Sequence, residues 1–218
     1  MSLESELVDL DAVRRHFALD AAILLGHSFG AIIAMEYALL HPERVTHLIL
    51  LNPAPASHAD YIRFREHRHA REARTLEAMR AIVDTPRYRT GDVDADAEYY
   101  RLHFAKALRR PERVEDVVRR LRAHFAPADI VKARAIEARL YAQTWDRPDY
   151  SAIERLGRRA VPTLVIHGEH DIIPVECATS ITDALAGSRR VVLPECGHFA
   201  YLERPAEVHA AIAAFVAA

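Results

Sequence analysis

The sequence predicts an α/β fold in which helices cover both faces of a parallel sheet, with an all-helical segment inserted into it. Short apolar runs with strand character alternate with helical segments towards both ends of the 218-residue chain. Between residues 56 and 156 the strand signal disappears and only helical periodicity remains. A Gly-x-Ser-x-Gly motif, Gly26–Gly30, stands at the first predicted strand–helix junction. We therefore expect a core formed by residues 1–55 and 157–218, and a helical cap formed by residues 56–156.

The first 55 residues are expected to form a helix, a strand, a second helix and a second strand. From Leu3 to about Asp20, apolar residues recur at helical spacing with charges between them. The apolar run Ala22–Leu25 is too short for a helix and is followed by glycine, which favours a buried strand. The apolar segment after the glycine motif has no breaker before Pro42 and predicts a buried helix, and Val45–Leu51 is the next strand.

The rest of the chain divides into a charged helical part and a second strand-containing part. The helical part contains runs of helical period at 63–82, 95–109, 112–125 and 130–145. After it, Pro162–Gly168 and Arg190–Leu193 are predicted strands. A turn and helix at Ile173–Leu185 separate them, and a helix at Pro205–Val216 begins with proline. This alternation supports a parallel sheet.

Composition narrows the class of protein. Half of the residues are hydrophobic and the formal net charge is −2, so nothing favours nucleic acid or a membrane surface as a partner. The two cysteines, Cys177 and Cys196, lack the spacing of a disulfide framework or of metal ligands, which is typical of reduced cytosolic thiols. No signal peptide and no membrane-spanning apolar run is visible. We expect a cytoplasmic protein that binds no metal.

The glycine motif carries the first candidate functional residue. Ser28 is expected at the tip of a sharp strand–helix turn, with its hydroxyl exposed to a cleft. Gly26 and Gly30 are expected to let the strand and the helix pass close together without a Cβ clash. The turn also directs the N–H of Phe29 and the helix N-terminus towards one point, where both would stabilise a developing oxyanion. A glycine-rich turn with an incidental serine is the alternative interpretation.

Two later loops supply groups that would activate this serine. In a parallel sheet, functional groups gather beyond the carboxyl ends of the strands. Asp171 follows the third predicted strand and His198 follows the fourth. His198 would take the proton of Ser28 and Asp171 would orient the imidazole, in the chain order of a Ser-Asp-His triad. Glu169 and His170, earlier in the same loop as Asp171, are second choices.

Four segments carry a family resemblance. They are Gly26–Gly30, His41–Val45, Val161–Asp171 and Gly197–Pro205. These segments are similar to the α/β-hydrolase fold family, and the nearest branch is that of proline iminopeptidase-like enzymes with a large helical cap. The resemblance implies an α/β-hydrolase core and serine-based acyl transfer to water that needs no cofactor. In such peptidases cap carboxylates hold the free amine of the substrate. Glu98 is therefore a candidate, with a solvated helix charge as the alternative.

The sequence departs from this family before the serine. Family members have several strands before the strand–helix turn that carries the serine. They also have a His-Gly-rich loop there that completes the oxyanion hole. Only 27 residues precede Ser28, and they are predicted to contain one helix. We therefore expect an N-terminally incomplete sheet in which Ala22–Leu25 forms an open apolar edge. Such an edge would pair with another copy of the chain or with an N-terminal complement.

Three functions are compatible with these residues. The resemblance favours a proline iminopeptidase-like aminopeptidase. A small-ester or C–C bond hydrolase is the first alternative, and a catalytically weak fragment or binding protein that lacks part of the oxyanion hole is the second. For either hydrolase the partner is a small-molecule or short peptide substrate. Trp145 would either contact that substrate or hold the cap in place.

Overall fold

The computed structural model describes residues 1–158 and 161–217, which contain a four-stranded parallel sheet. Its strands lie in the order of the chain: β1 Ala22–Ser28, β2 Val45–Pro53, β3 Thr163–Gly168 and β4 Arg189–Leu193. Each pairing is parallel, since a helix-containing connection returns the chain to the same end of the sheet after each strand. The predicted α/β class with a parallel sheet is confirmed.

Helices flank the sheet and fill the connection between β2 and β3. Their bounds are α1 Leu3–His16, α2 Phe29–Leu40, α3 His58–Val83, α4 Pro86–Arg89, α5 Val93–Ala107, α6 Val114–Arg122, α7 Pro127–Gln143, α8 Ala152–Leu156, α9 Val175–Ala184, α10 Ala200–Glu203 and α11 Pro205–Val216. We call α3–α7 the helical insertion. Of the helices in the described ranges, none combines the length and the apolar character needed to cross a membrane.

Apolar cores lie on both faces of the sheet. Because side chains alternate along a strand, Leu48 and Leu50 of β2 pack with α2, α8 and α9, whereas Ile49 and Leu51 pack with α11 on the opposite face. Helices therefore cover both faces, as expected. The loops that follow β1, β2, β3 and β4 all emerge at the same end of the sheet, because the strands are parallel.

Two helix boundaries differ most from the prediction. α1 ends at His16 rather than near Asp20. α3 begins at His58, earlier than predicted, because the Ser57 side chain caps it by accepting a hydrogen bond from the amide of Asp60. α3 also contains a break in helical geometry inside its 26 residues, at Glu72, where φ is −131° and ψ is 23°.

β1 lies at an edge of the described sheet. Among the described residues it forms a ladder with β2 alone. Ile23 and Leu25 point to the same face of the strand and are 43% and 51% exposed, whereas Leu24 and Gly26 point towards α2. The edge therefore presents both free backbone groups and apolar side chains. That another strand pairs with it remains a prediction.

Candidate active site

Ser28 occupies a strained turn between β1 and α2. Its φ of 54° and ψ of −125° lie in a region that residues other than glycine rarely adopt. A Cβ at Gly26 would come within 2.4 Å of the carbonyl oxygen of Gly30, so this glycine allows the close approach of strand and helix. The same expectation for Gly30 is wrong, because a Cβ there would meet nothing within 4 Å beyond its own helix.

The structure brings the three predicted triad residues together. The Oγ of Ser28 lies 2.9 Å from Nε2 of His198. Nδ1 of His198 lies 2.9 Å and 3.0 Å from the two carboxylate oxygens of Asp171. With a proton on Nδ1, the imidazole donates to Asp171 and accepts from the Ser28 hydroxyl. This hydrogen-bonded chain has the connectivity that nucleophilic catalysis by serine requires.

Asp171 is buried and held as a carboxylate. Burial opposes its ionisation, but His198, His167 and its hydrogen bonds outweigh burial and place the pKa of Asp171 below its usual value. The amide of Ile173 donates to Oδ1 at 2.9 Å, and Nδ2 of Asn52 donates to Oδ2 at 2.8 Å. The aspartate therefore carries a negative charge that is fixed in orientation.

Asn52 supports this arrangement of side chains through hydrogen bonds, and it was not among the residues predicted from the sequence. It is fully buried at the end of β2, with a φ of 43°, and its Nδ2 also donates to the carbonyl oxygen of Gly197 at 3.0 Å. One side chain thus links the loop of Asp171 to the loop of His198. Its position at the carboxyl end of a strand was the available signal, but an asparagine before proline is also an ordinary strand terminator.

The backbone of the His198 loop is fixed from three sides. The amide of His198 donates to the carbonyl oxygen of Ala107 at 2.6 Å. Buried Glu203 accepts from the amide of Gly197 at 2.7 Å and from the amide of Arg109 at 2.8 Å. Nε2 of His27 lies 2.8 Å from the carbonyl oxygen of His198, and its N–H donates to it. This loop therefore depends on the end of α5 for its position.

His27 is packed beside the turn that carries Ser28 and is not placed as a second base. Burial and the neighbouring His198 lower the pKa of His27 to about 4. Its imidazole is therefore neutral at physiological pH and carries one hydrogen bond to the His198 loop.

Phe29 begins α2, so its amide has no acceptor within the helix. The amide lies next to Ser28 at the positive end of the helix dipole, which is the position predicted for an oxyanion donor. The Phe29 ring forms part of the wall of a cleft of about 470 Å³. Ser28 and His198 also line this cleft, which lies between the sheet and the helical insertion.

An aromatic cluster forms one wall of the cleft, with Trp145 at its centre. The Trp145 ring stacks on Tyr61, with 4.6 Å between the ring centroids and 8° between the ring planes. Its centroid lies 5.3 Å from that of Phe29, which it contacts edge-on, and 4.7 Å from that of Tyr141. Its Nε1 donates to the carbonyl oxygen of Pro55 at 2.7 Å. Trp145 thus lines the cleft and also ties the helical insertion to the loop after β2, whereas its contact with a substrate stays a prediction.

Glu98 does not reach the cleft. It is exposed, and the cleft face of α5 is formed instead by Tyr99, Tyr100 and His103. One residue turns a helix by about 100°, so the side chain of Glu98 points away from that face. The carboxylate that the structure places in the cleft belongs to Glu137 of α7, which accepts a hydrogen bond from the Tyr141 hydroxyl at 2.7 Å.

A family model described as alpha/beta hydrolase fold matches residues 3–205 of this chain. The chain belongs to the alpha/beta hydrolase fold family. The relatives of this α/β hydrolase include a 2-hydroxy-6-oxo-6-(2'-aminophenyl)hexa-2,4-dienoic acid hydrolase of Metapseudomonas resinovorans. It is 25% identical, over 88% of this chain and 59% of its own length. A proline iminopeptidase of Lactobacillus crispatus is 27% identical, over 94% of this chain and 68% of its own length.

Solved structures agree with the fold of this α/β hydrolase. A meta-cleavage product hydrolase from Pseudomonas fluorescens aligns with a TM-score of 0.70 at 19% identity, over 99% of this chain and 72% of that chain. The chain spans 59% to 68% of the length of the first three curated relatives. The predicted family is confirmed.

The second-choice residues of this α/β hydrolase lie apart from the cleft lining. Glu169 and His170 are exposed and lie beside Glu195. Among the described residues, these three side chains are the potential metal ligands close enough to one another to share an ion. Arg109 already pairs with Glu195 at 2.7 Å. These residues do not contact Ser28, and an exposed acidic group of this kind is common without a metal.

Proposed function

We propose that this α/β hydrolase is a serine hydrolase that transfers an acyl group to Ser28 and then to water. The observation that carries the proposal is the hydrogen-bonded chain from Ser28 through His198 to Asp171, open to a cleft at its serine end. Named hydrolases among the relatives support it. The helical insertion acts in this proposal as the cap that closes the cleft and selects the substrate.

The geometry suits a two-step mechanism. Ser28 Oγ attacks the carbonyl carbon of the substrate while Nε2 of His198 takes its proton. The Phe29 amide and the α2 N-terminus stabilise the oxyanion, and Asp171 stabilises the imidazolium. Nε2 then gives its proton to the leaving group, which leaves the acyl group as an ester on Oγ. A water molecule, deprotonated by His198, releases the acid and restores the serine.

A fluorophosphonate probe tests the nucleophile. Because the hydroxyl of Ser28 is hydrogen-bonded to the imidazole of His198, we expect the probe to label Ser28, as mapped by mass spectrometry of the digested protein. Ser151, half-buried and outside the cleft lining, is the matched internal control. Labelling of a serine other than Ser28 in the intact protein would reject the assignment.

For the substrate, we propose a compound with a free N-terminal amine, as in a proline iminopeptidase-like aminopeptidase. Two observations support this choice: proline iminopeptidases occur among the relatives, and Glu137 places a carboxylate in the cleft. Glu137→Gln is expected to lower kcat/KM for proline arylamide about tenfold, since a charged hydrogen bond is lost. Turnover of a simple aryl ester should be unchanged.

Glu98→Gln is the matched control for this prediction, because Glu98 is a carboxylate of the same insertion that lies outside the cleft. An N-blocked proline arylamide provides the substrate control. Equal or better turnover of the blocked amide or the ester would favour the alternative, a small-ester or C–C bond hydrolase. The relatives named as dienoic acid and 2-hydroxymuconate semialdehyde hydrolases support that alternative.

The open edge of β1 supports a further proposal, that the chain associates through this edge and is weakly active alone. If Phe29 supplies the oxyanion hole without a second donor, the rate falls by a factor of roughly 10² to 10³. Light scattering is expected to show association that Leu25→Lys disrupts. Val192→Lys, on the opposite edge strand β4, is the control. A monodisperse wild-type monomer with ordinary hydrolase turnover would contradict both parts.

A further inference from the structure

The cleft-facing side of α3 changes character along the helix. Tyr61, Phe64, Arg65, Arg68 and His69 all line the cleft and have the spacing of one helical face. Leu76 and Arg80 continue this lining beyond the break at Glu72. The face therefore begins with aromatic rings and continues with basic side chains. At 1.5 Å per residue, Tyr61 and Arg68 lie about 10 Å apart along the helix axis.

Two of the basic groups in the cleft carry no free positive charge. Arg68 is neutralised by Glu72, to which its Nε and Nη2 donate at 3.2 Å and 2.9 Å. Burial and the nearby Arg68 lower the pKa of His103 to about 3, so its imidazole is neutral. Any anion that enters the cleft must therefore be attracted by other residues.

Arg65 and Arg80 are the remaining cations, and both guanidinium groups are available. Within residues 1–158 and 161–217, no carboxylate lies within 4.0 Å of either one. Nδ1 of His69 donates to the carbonyl oxygen of Arg65 at 2.8 Å, which leaves its Nε2 to accept from Nη2 of Arg80 at 3.3 Å. His69 thus holds Arg80, from beyond the break, beside the turn that carries Arg65.

We infer that Arg65 and Arg80 form a carboxylate-binding subsite of the cleft, so that its ligands are compounds with an apolar part and a free carboxylate. The apolar part lies against the cluster around Tyr61 and Trp145, and the carboxylate reaches the two guanidinium groups. Arg65 itself lies over the Tyr61 ring, 5.8 Å from its centroid, and joins the two parts. The parallel N–H donors of a guanidinium group suit a planar carboxylate.

This inference rests on the proposed function and adds a free carboxylate to the substrate proposed above, as in a short peptide with an N-terminal proline. Its test measures binding and needs no turnover. Trp145 is the single tryptophan of the chain and lies in the cleft, so its fluorescence reports occupancy. The probe is 5-phenylpentanoate, and the matched neutral ligand is 5-phenylpentanamide. We expect the carboxylate to bind roughly three- to tenfold more tightly than the amide, with a difference that shrinks as salt is added.

The double variant Arg65→Gln, Arg80→Gln is expected to bind acid and amide equally, with amide affinity as in the wild type. Arg74→Gln, on the same helix but outside the cleft lining, should keep the preference. Circular dichroism checks that the variants are folded. Equal wild-type affinity for the two ligands, or a preference that survives in the double variant, would overturn the subsite. If the double variant loses the preference for the acid and the wild-type protein has no esterase activity, the subsite is supported and the hydrolase function is rejected.

Discussion

Replacing His198 with alanine is expected to lower kcat by about a millionfold, because nucleophile and base act as a unit in a serine hydrolase. The expectation follows from the 2.9 Å distance between Nε2 of His198 and the Oγ of Ser28. Without the imidazole, the hydroxyl keeps its proton and is a poor nucleophile near neutral pH. Steady-state kinetics with an activated aryl ester measure the loss, down to the rate of the uncatalysed reaction.

His170→Ala is the control for this result, because His170 is the histidine beside Asp171 that the sequence left as a rival. It is exposed and outside the cleft lining, so its loss should leave kcat within about twofold of the wild type. Full turnover in the His198 variant, or a comparable loss in the His170 variant, would require a different base.

Asp171→Asn is expected to lower kcat by about ten thousandfold while leaving the fold intact. The substituted amide can donate to Nδ1 of His198, which shifts the proton to Nε2 and removes the acceptor that Ser28 needs.

Asn52→Ala tests the hydrogen bond that supports the Asp171 carboxylate. It removes the donor that lies 2.8 Å from Asp171 Oδ2, and a loss of about tenfold is expected.

Glu169→Gln is the matched control, since Glu169 is the other carboxylate of the loop and lies at the surface. The same aryl ester assay applies, with circular dichroism to compare the folded states. If Asp171→Asn and Glu169→Gln had equal effects, Asp171 would have no special role in orienting the base.

The fold and the residues of the triad could be predicted because their signals are local. β1 and α2 follow from one apolar run on each side of Gly26–Gly30. Asp171 and His198 each follow a buried strand, and parallel strands place their following loops at one end of the sheet. Topology alone thus brings Ser28, Asp171 and His198 into the same region.

Residues that depend on the orientation of helices could not be predicted in this way. Glu98 and Glu137 are both carboxylates on charged helices of the insertion, and only the packing of α5 and α7 determines which of them faces the cleft. Asn52 and Glu203 act through hydrogen bonds to segments far apart in the chain, for which residue spacing gives no signal. Side-chain periodicity identifies a face but not its neighbour.

The position of the helical insertion also has a consequence for the order of folding. β2 and β3 are adjacent in the sheet, yet residues 54–162 separate them in the chain. Closing so long a connection costs chain entropy before the pairing of the two strands compensates for it, which raises contact order and slows folding. Ser28 and Asn52 lie on one side of this junction, and Asp171 and His198 on the other. Ser28 therefore meets His198 only after the most distant pairing of the sheet has formed, so a folding intermediate that lacks this pairing has not brought Ser28, His198 and Asp171 together.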